Sequence, residues 1–572
     1  MTAAVGTHSA GDALGNKRLL GEILLERERL TPAQLSDALF QQRVSGKRLG
    51  AVLVELGVVD ERALADALAE HFSLPVVDLR KQVPEAGALA KLTEATARGL
   101  SALPVRIDGT DLEVAVGDPS PELAGELTRA AGMRVRLVVA APSDIARAID
   151  RNYRALADVG RHVAAFSQTD DRRRSDRRAP AAAGNQDAPV VQVVNLVVTQ
   201  ALRDRASDVH IESNDVNTRV RYRIDGVLHD VLSLPVEMGP AIASRIKVLA
   251  GMNIVERRRP QDGQLSMAVD GRSIDIRVAI SGTVTGEKVV MRLLDKTKPL
   301  FRIDQLGMTA RTQARYTKLV NAPFGMVVCA GPTGSGKTTS LYATLTELDS
   351  PERNIMTIED PVEYRFPTVS QIQINEQAGV TFAAGLKAIL RQDPDIILVG
   401  EVRDPETARI AVQSALTGHF VLSSLHATDA TAALHRFLDM DIEPFLIASA
   451  VSGVLSQRLV RRICDHCRRP YQPTPDELAF YAESGGSADH VFYAGDGCTF
   501  CAETGYSDRV GVYELIVMSP ELRQLVVERQ SHQAIRAMAI SQGTSTLSVE
   551  AARLVAAGVT TIAEIIRSIY TL

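Results

Sequence analysis

The chain has 572 residues, of which 45% are hydrophobic, 23% charged and 4% aromatic. At about 150 residues per domain that predicts three or four separate cores and excludes a wholly disordered or collagen-like chain. Lys and Arg number 64 against 69 Asp and Glu, a net charge of −5, without the basic excess that most duplex-binding proteins carry, so no nucleic acid is expected as a partner.

Residues 1–14 read as a disordered N-terminus, with no apolar centre of the kind a secretory signal needs. An internal repeat follows at an offset of 29 residues: Leu20-Gly21 recurs as Leu49-Gly50, and Leu24, Leu35, Asp37, Ala38 and Leu39 recur as Leu53, Leu64, Asp66, Ala67 and Leu68. Apolar residues at helical spacing predict a helix pair in each copy. LPVRI and LEVAVGDP then predict two strands around the turn Asp108-Gly109, and Pro142 to Tyr153 a closing helix, completing a mostly helical domain over 15–155. Residues 156–189 read as a flexible linker, since Ser167 to Pro189 holds Asp170, Asp171, five Arg residues and AAAGNQDAP, with almost nothing to bury.

Residues 190–300 predict a small α+β module, a helix from Val193 to Arg205 followed by the strands VHIES, RVRYRI, SIDIRVAI and KVVMRLL. From 301 to 572 apolar strands alternate with helices, the pattern of a mostly parallel sheet. Within it Gly331-Pro332-Thr333-Gly334-Ser335-Gly336-Lys337-Thr338-Thr339 follows the buried-strand run Met326 to Ala330 and opens a helix. That context marks a phosphate loop, whose backbone N–H groups cradle phosphates while Lys337 reaches the β/γ-phosphates and Thr338 holds Mg²⁺. Cys329, in the strand before the loop, reads as core.

Three further strand ends offer chemistry. Glu359, Asp360 and Glu363 follow one apolar strand, Glu401 ends another, and His419 and His426 bracket a third. Side chains at the carboxyl ends of parallel strands face the ligand in such sheets, where a carboxylate can orient Mg²⁺ or water and a His can contact the γ-phosphate. The longest apolar run, Pro444 to Ser456, is shorter than the ~20 residues of a membrane span. The protein is therefore expected in the cytoplasm, with only peripheral contact to a membrane. Cys464-x-x-Cys467 and Cys498-x-x-Cys501 predict a Cys₄ zinc site within an insertion over 460–505, structural because four thiolates leave no open position. The 30 intervening residues predict an extra loop between the knuckles, and His466 reads as a surface residue rather than a ligand.

GPTGSGKTT, TIEDPVE, ILVGEVRD and TGHFVLSSLHATDA resemble, in order and spacing, the four boxes of the bacterial ATPases of type II secretion and type IV pilus assembly. ASDVHIES, VRYRIDGVLH, PQDGQ and GEKVVMRLL resemble the module that precedes the motor there. The resemblance implies a multi-domain α/β protein in which a RecA-like phosphate-loop ATPase domain with a zinc insertion follows a PAS-like α+β module and a regulatory N-terminal domain. It implies that Glu363 is the general base for water, that Glu401 supports Mg²⁺, that His426 lies near the γ-phosphate, and that Arg277, Arg292 and Arg391 close on the phosphates. It also implies a homohexamer that hydrolyses ATP to extend a filament by acting on an inner-membrane platform protein and associated cytoplasmic assembly proteins. Zinc knuckles and the N-terminal domain favour assembly over retraction. Lys387 and Gln264 stand where the family commonly has Arg, which removes a planar fork at each. The N-terminal repeat is similar to the family's cyclic di-GMP-binding domain, but the first copy has Leu19 for the Arg and Glu28 for the Gly of that motif, so this ligand is not favoured. A nucleic-acid translocase of the same hexameric class is the alternative reading.

Overall fold

The computed structural model describes residues 18–27, 29–79, 82–153, 156, 159–175, 188–294 and 301–570. The expected disordered segment 1–14 and Glu28 lie outside them. The chain forms two compact units, Met1–Arg161 and His162–Leu572.

In the first unit the repeat folds as two helix pairs, Leu20–Glu26 with Pro32–Ser45 and Leu49–Glu55 with Glu61–Phe72. Thr31 accepts from the Gln34 N–H to cap one second helix, and Asp60, at the same repeat position, accepts from Arg62 and Ala63 to cap the other. Gly21 packs so tightly on Leu35 that a Cβ would sit 3.0 Å from its side chain, and Gly50 stands in the same relation to Leu64. The duplication is thus kept in capping and in packing. Strands β1 (Ala102–Asp108) and β2 (Asp111–Val116) form the antiparallel hairpin expected around Asp108-Gly109, and β3 (Arg134–Val139) runs parallel to β2. The helix Pro142–Asn152 lays Ile145 and Ile149 on a core with Leu103, Val105 and Ala115.

Within the segment expected to be a linker, residues Val159–Ser175 are helical. This stretch has no Pro and holds Arg161, Arg172, Arg173, Arg174, Ala164 and Ala165, residues that a helix accommodates well. The rest of that segment, 176–187, lies outside the described residues.

The α+β module of the second unit opens with the helix Pro189–Arg203, whose Pro sets the first turn. Strands β4 (Asp208–Ser213), β5 (Asn217–Ile224), β6 (Val227–Pro235), β7 (Gln261–Val269), β8 (Arg272–Thr283) and β9 (Gly286–Leu294) form an antiparallel sheet in the order β6-β5-β4-β9-β8-β7. Alternate residues divide its faces. Val209, Ile211, Val220, Tyr222, Val289 and Met291 are buried, and the Tyr222 hydroxyl donates to the Val197 carbonyl of the opening helix at 2.7 Å. The opposite face carries Asp208, His210, Glu212, Arg221 and Lys288, with Arg277 directly across from Arg292.

The motor is built on β10 (Gly325–Ala330), β11 (Ile355–Glu359), β12 (Ser370–Gln373), β13 (Ile396–Val399), β14 (Phe420–Leu425), β15 (Val451–Ile463) and, after the two-stranded ribbon β16 (Arg468–Tyr471) and β17 (Phe492–Gly495), β18 (Tyr506–Val517). The seven-stranded sheet runs β12-β11-β13-β14-β10-β15-β18, parallel except for β18. Every residue of β10 is buried. Met326 and Val328 enter the core on one face with Val399, Val421 and Phe437, while Val327 and Cys329 enter the core on the other with Leu345 and Leu422. Burial on both faces is why these strands read as continuous apolar runs rather than alternating ones. The apolar stretch from Pro444 divides into a helix, Pro444–Ala450, and the start of β15. No helix among the described residues is long and apolar enough to cross a membrane.

Candidate nucleotide site and metal centre

Four neighbouring parallel strands, β11, β13, β14 and β10, end on the same edge of the sheet. That edge brings Glu359 and Glu363, Glu401, His426 and the phosphate loop together around a cleft of about 630 Å³. The loop is shaped by its glycines. Gly336 has φ +89° and caps the helix Lys337–Leu348 without a side chain, leaving the first N–H groups of that helix free for an anion. At Gly331 a Cβ would lie 2.5 Å from Ser335 Oγ and 2.7 Å from the Gln457 carbonyl, so no larger residue fits there.

Lys337 Nζ donates to the carbonyls of Gly331 at 2.8 Å and Pro332 at 3.1 Å. It is folded against its own loop, and phosphate oxygens are the acceptors that would draw it out. Burial lowers its proton affinity and the Glu401 carboxylate raises it. Thr338 and Thr339 are exposed at the cleft. Glu401 is held by its strand end: Ser424 Oγ donates to the Gly400 carbonyl at 2.8 Å, and the Val402 N–H donates to the Ser424 carbonyl at 3.0 Å. Its carboxylate lies 3.0 Å from His426 Nε2 and 2.9 Å from Arg403. Burial, then the Lys337 charge, lower the His426 pKa below 6.5, with Glu401 opposing. The shift favours the neutral ring, which weakens the ion-pair character of the His426–Glu401 contact.

The three acids at the end of β11 have different surroundings. Glu359 is 4% exposed and turns inward to the hydroxyls of Tyr342 and Thr357. Asp360 is exposed, 3.7 Å from Arg403. Glu363 lies at the cleft, its carboxylate facing Arg277 of β8 at 3.3 and 3.4 Å. Arg277 reaches the site through Glu363 and does not itself line the cleft. Arg292, its neighbour across the sheet, is 3.0 Å from Asp208 and does not line the cleft. Arg391 is exposed beyond the helix Phe382–Ile389 and does not line it either. Lys387 reaches Glu406 at 2.5 Å as a surface ion pair, an arrangement worth about 0–1 kcal/mol. Gln264 pairs in register with Arg277. His419 is tied to the Ser414 carbonyl at 3.0 Å, at the far end of β14.

Two residues of the site escaped the sequence reading. Gln457 on β15 is 1% exposed, and its Nε2 donates to the Ser335 carbonyl at 2.8 Å, bracing the phosphate loop from the sheet. A polar residue inside a 13-residue buried strand was the available signal. Tyr342 carried none, because it falls on the buried face of an ordinary helix.

Cys464, Cys467, Cys498 and Cys501 converge so that all four sulfurs lie within 4.8 Å of one another. Sulfur separations of 3.8, 3.8 and 3.7 Å are too long for disulfides and match the roughly 3.8 Å edge of a tetrahedron with Zn–S bonds of about 2.3 Å. The N–H groups of Cys498 and Gly505 donate to Cys501 Sγ at 3.2 Å, as suits a thiolate. The donor set fits zinc. The segment between the knuckles is the ribbon β16–β17 with the helix Pro475–Glu483 rather than a bare loop. His466 is half-buried with its ring centroid 4.4 Å from that of Phe500, not a free surface residue.

The type II/IV secretion system protein family matches residues 183–567, and the MshEN domain family matches residues 72–158. The type IV pilus assembly ATPase PilB of Myxococcus xanthus is 38% identical over 96% of this chain and 98% of its own length. The type II secretion system protein E of Xanthomonas campestris pv. campestris is 39% identical over 96% of this chain and 97% of its own length. The type II secretion system protein HxcR of Pseudomonas aeruginosa is 48% identical over 66% of this chain and 77% of its own length. These relatives are secretion and pilus proteins, and the translocase reading is not favoured. A phosphate loop at the edge of a parallel sheet, a second acid and a His on adjacent strand ends, and this match over most of the chain lead to one conclusion: the protein belongs to the type II/IV secretion system ATPase family.

Proposed function

We propose that the protein hydrolyses ATP in the cleft at the ends of β10, β11, β13 and β14 and uses the energy to extend a type IV pilus or a type II secretion pseudopilus. The observation that carries this reading is the convergence of Lys337, Glu363, Glu401 and His426 on one cleft, with Arg277 of the preceding module held on Glu363. In it, the phosphate loop holds the triphosphate, Lys337 leaves the loop carbonyls for the β/γ-phosphates, and Glu363 accepts a proton from the attacking water. Arg277 supplies a fork of donors for phosphate oxygens once it is released from Glu363. Thr338 and Glu401 would hold Mg²⁺, which neutralises phosphate charge when bound. The four Cys hold zinc as a structural centre.

The chain acts as a homohexamer on an inner-membrane platform protein and its cytoplasmic associates, located peripherally at the membrane's inner face. The N-terminal unit serves docking rather than cyclic di-GMP binding. Leu19 replaces an Arg in the first repeat copy, and Arg48 of the second is already paired with Asp118. Phosphate release by the purified protein tests the enzyme reading. Glu363→Gln is expected to lose hydrolysis while still binding nucleotide. Retained hydrolysis in Glu363→Gln, or stimulation of the wild type by DNA, contradicts it.

A further inference from the structure

We propose that Tyr342 is a positioning residue for hydrolysis, fixing the Glu363 segment to the phosphate-loop helix. The inference rests on Glu363 being the general base. Tyr342 lies on the helix Lys337–Leu348 that begins with Lys337 and Thr338, and it is 3% exposed. Its hydroxyl has a single proton, which it donates to Glu359 Oε2. The other Glu359 oxygen accepts from Thr357 Oγ1 at 2.6 Å and Gln371 Nε2 at 3.2 Å. Glu359 thus orients the hydroxyl, and the lone pairs left on the Tyr342 oxygen face the Glu363 backbone.

The Glu363 N–H donates to that oxygen at 3.2 Å. The ring is held edge-on between Phe366 and Tyr364, at centroid distances of 5.3 and 6.3 Å, so the oxygen has little freedom to shift. One bond therefore joins the element that holds phosphate to the residue that activates water. Arg277 reaches the Glu363 carboxylate from β8, a contact that phosphate can compete for. The bond from Tyr342 is to backbone and faces no such competition. It keeps Glu363 at a set distance from the nucleotide whichever partner its carboxylate takes, and a displacement of about 1 Å at a reacting group can cost on the order of a hundredfold in rate.

The test is steady-state ATP hydrolysis by the full chain. Tyr342→Phe keeps the ring and removes the hydroxyl. It is expected to lower kcat about tenfold while KM, and the affinity for a non-hydrolysable ATP analogue, stay within about twofold. Added to Glu363→Gln, it is expected to change the residual rate less than about twofold, because it acts only through that carboxylate. Glu359→Gln, which loosens the hydroxyl's orientation, is expected to shift kcat in the same direction. Phe366→Leu keeps the hydroxyl and loosens the ring that carries it; it is expected to lower Tm and to lower kcat by less than Tyr342→Phe does. Normal kcat in Tyr342→Phe beside an inactive Glu363→Gln overturns this inference alone, as does an additive loss in the double variant. Full activity in Glu363→Gln overturns the base assignment and the inference with it.

Discussion

The two terminal guanidinium nitrogens of Arg277 each face one carboxylate oxygen of Glu363, at 3.3 and 3.4 Å. The pair joins the α+β module to the motor at the edge of the cleft that Glu363 lines. In the proposed reaction each partner is needed elsewhere: Glu363 at water, Arg277 at phosphate. Arg277→Ala is therefore expected to cut kcat by about 10²–10³-fold. Both side chains are 34% exposed, so the stability cost is expected to stay within about 1 kcal/mol. Hydrolysis and thermal melts on the same preparation check both halves.

Gln457 braces the phosphate loop through a buried bond to the Ser335 carbonyl. Gln457→Ala leaves that carbonyl without its donor and frees the loop to relax. Nucleotide affinity is expected to fall about five- to thirtyfold, from the roughly 1–2 kcal/mol of such a bond. Titration with a fluorescent ATP analogue reads it directly.

The phosphate loop, Glu401 and His426 were legible because each ends a buried apolar run, and parallel topology does the rest. The three acids at the end of β11 could not be told apart in sequence, since all sit where the same strand ends. Their roles separate only through what they touch: Tyr342 for Glu359, Arg403 for Asp360, Arg277 for Glu363. Tyr342 and Gln457 were hidden for a related reason. Tyr342 satisfies the burial pattern of its helix, and Gln457 stood out only as a polar residue in a buried strand; a hydrogen bond across the chain leaves no periodic trace. Arg277 has no local signal and came only through resemblance, as did Arg292 and Arg391; none of the three lines this cleft, and Arg277 alone touches one of its acids, Glu363.

The sulfur tetrahedron predicts one zinc per chain. Cys498→Ser is expected to lose the metal and to destabilise the insertion by on the order of 3 kcal/mol. Elemental analysis and thermal melts, before and after a chelator, test this; full stability without metal contradicts it.

His210 is 9% exposed and neither ring nitrogen has a hydrogen-bond partner. Burial, then the Arg223 charge, lower its pKa below 6.5, with Lys288 adding to the effect and Asp208 and Glu212 opposing it. The folded protein then binds fewer protons than the unfolded chain between the lowered pKa and 6.5. Its contribution to stability is complete above pH 6.5 and is lost as pH falls through the folded pKa. Tm is expected to drop on acidification from pH 7.5 to 5, and His210→Leu to flatten that drop. An equal slope in the variant contradicts the assignment.

The central claim is that hydrolysis at the Lys337 loop drives filament extension. Replacing the chromosomal copy with Lys337→Ala, then counting surface filaments by electron microscopy and comparing secreted proteins with the parent strain, tests it most directly. The account predicts loss of one output: vanished filaments mark a pilus motor, and enzymes retained in the cell mark the secretion motor. Unchanged filaments together with unchanged secretion would contradict it.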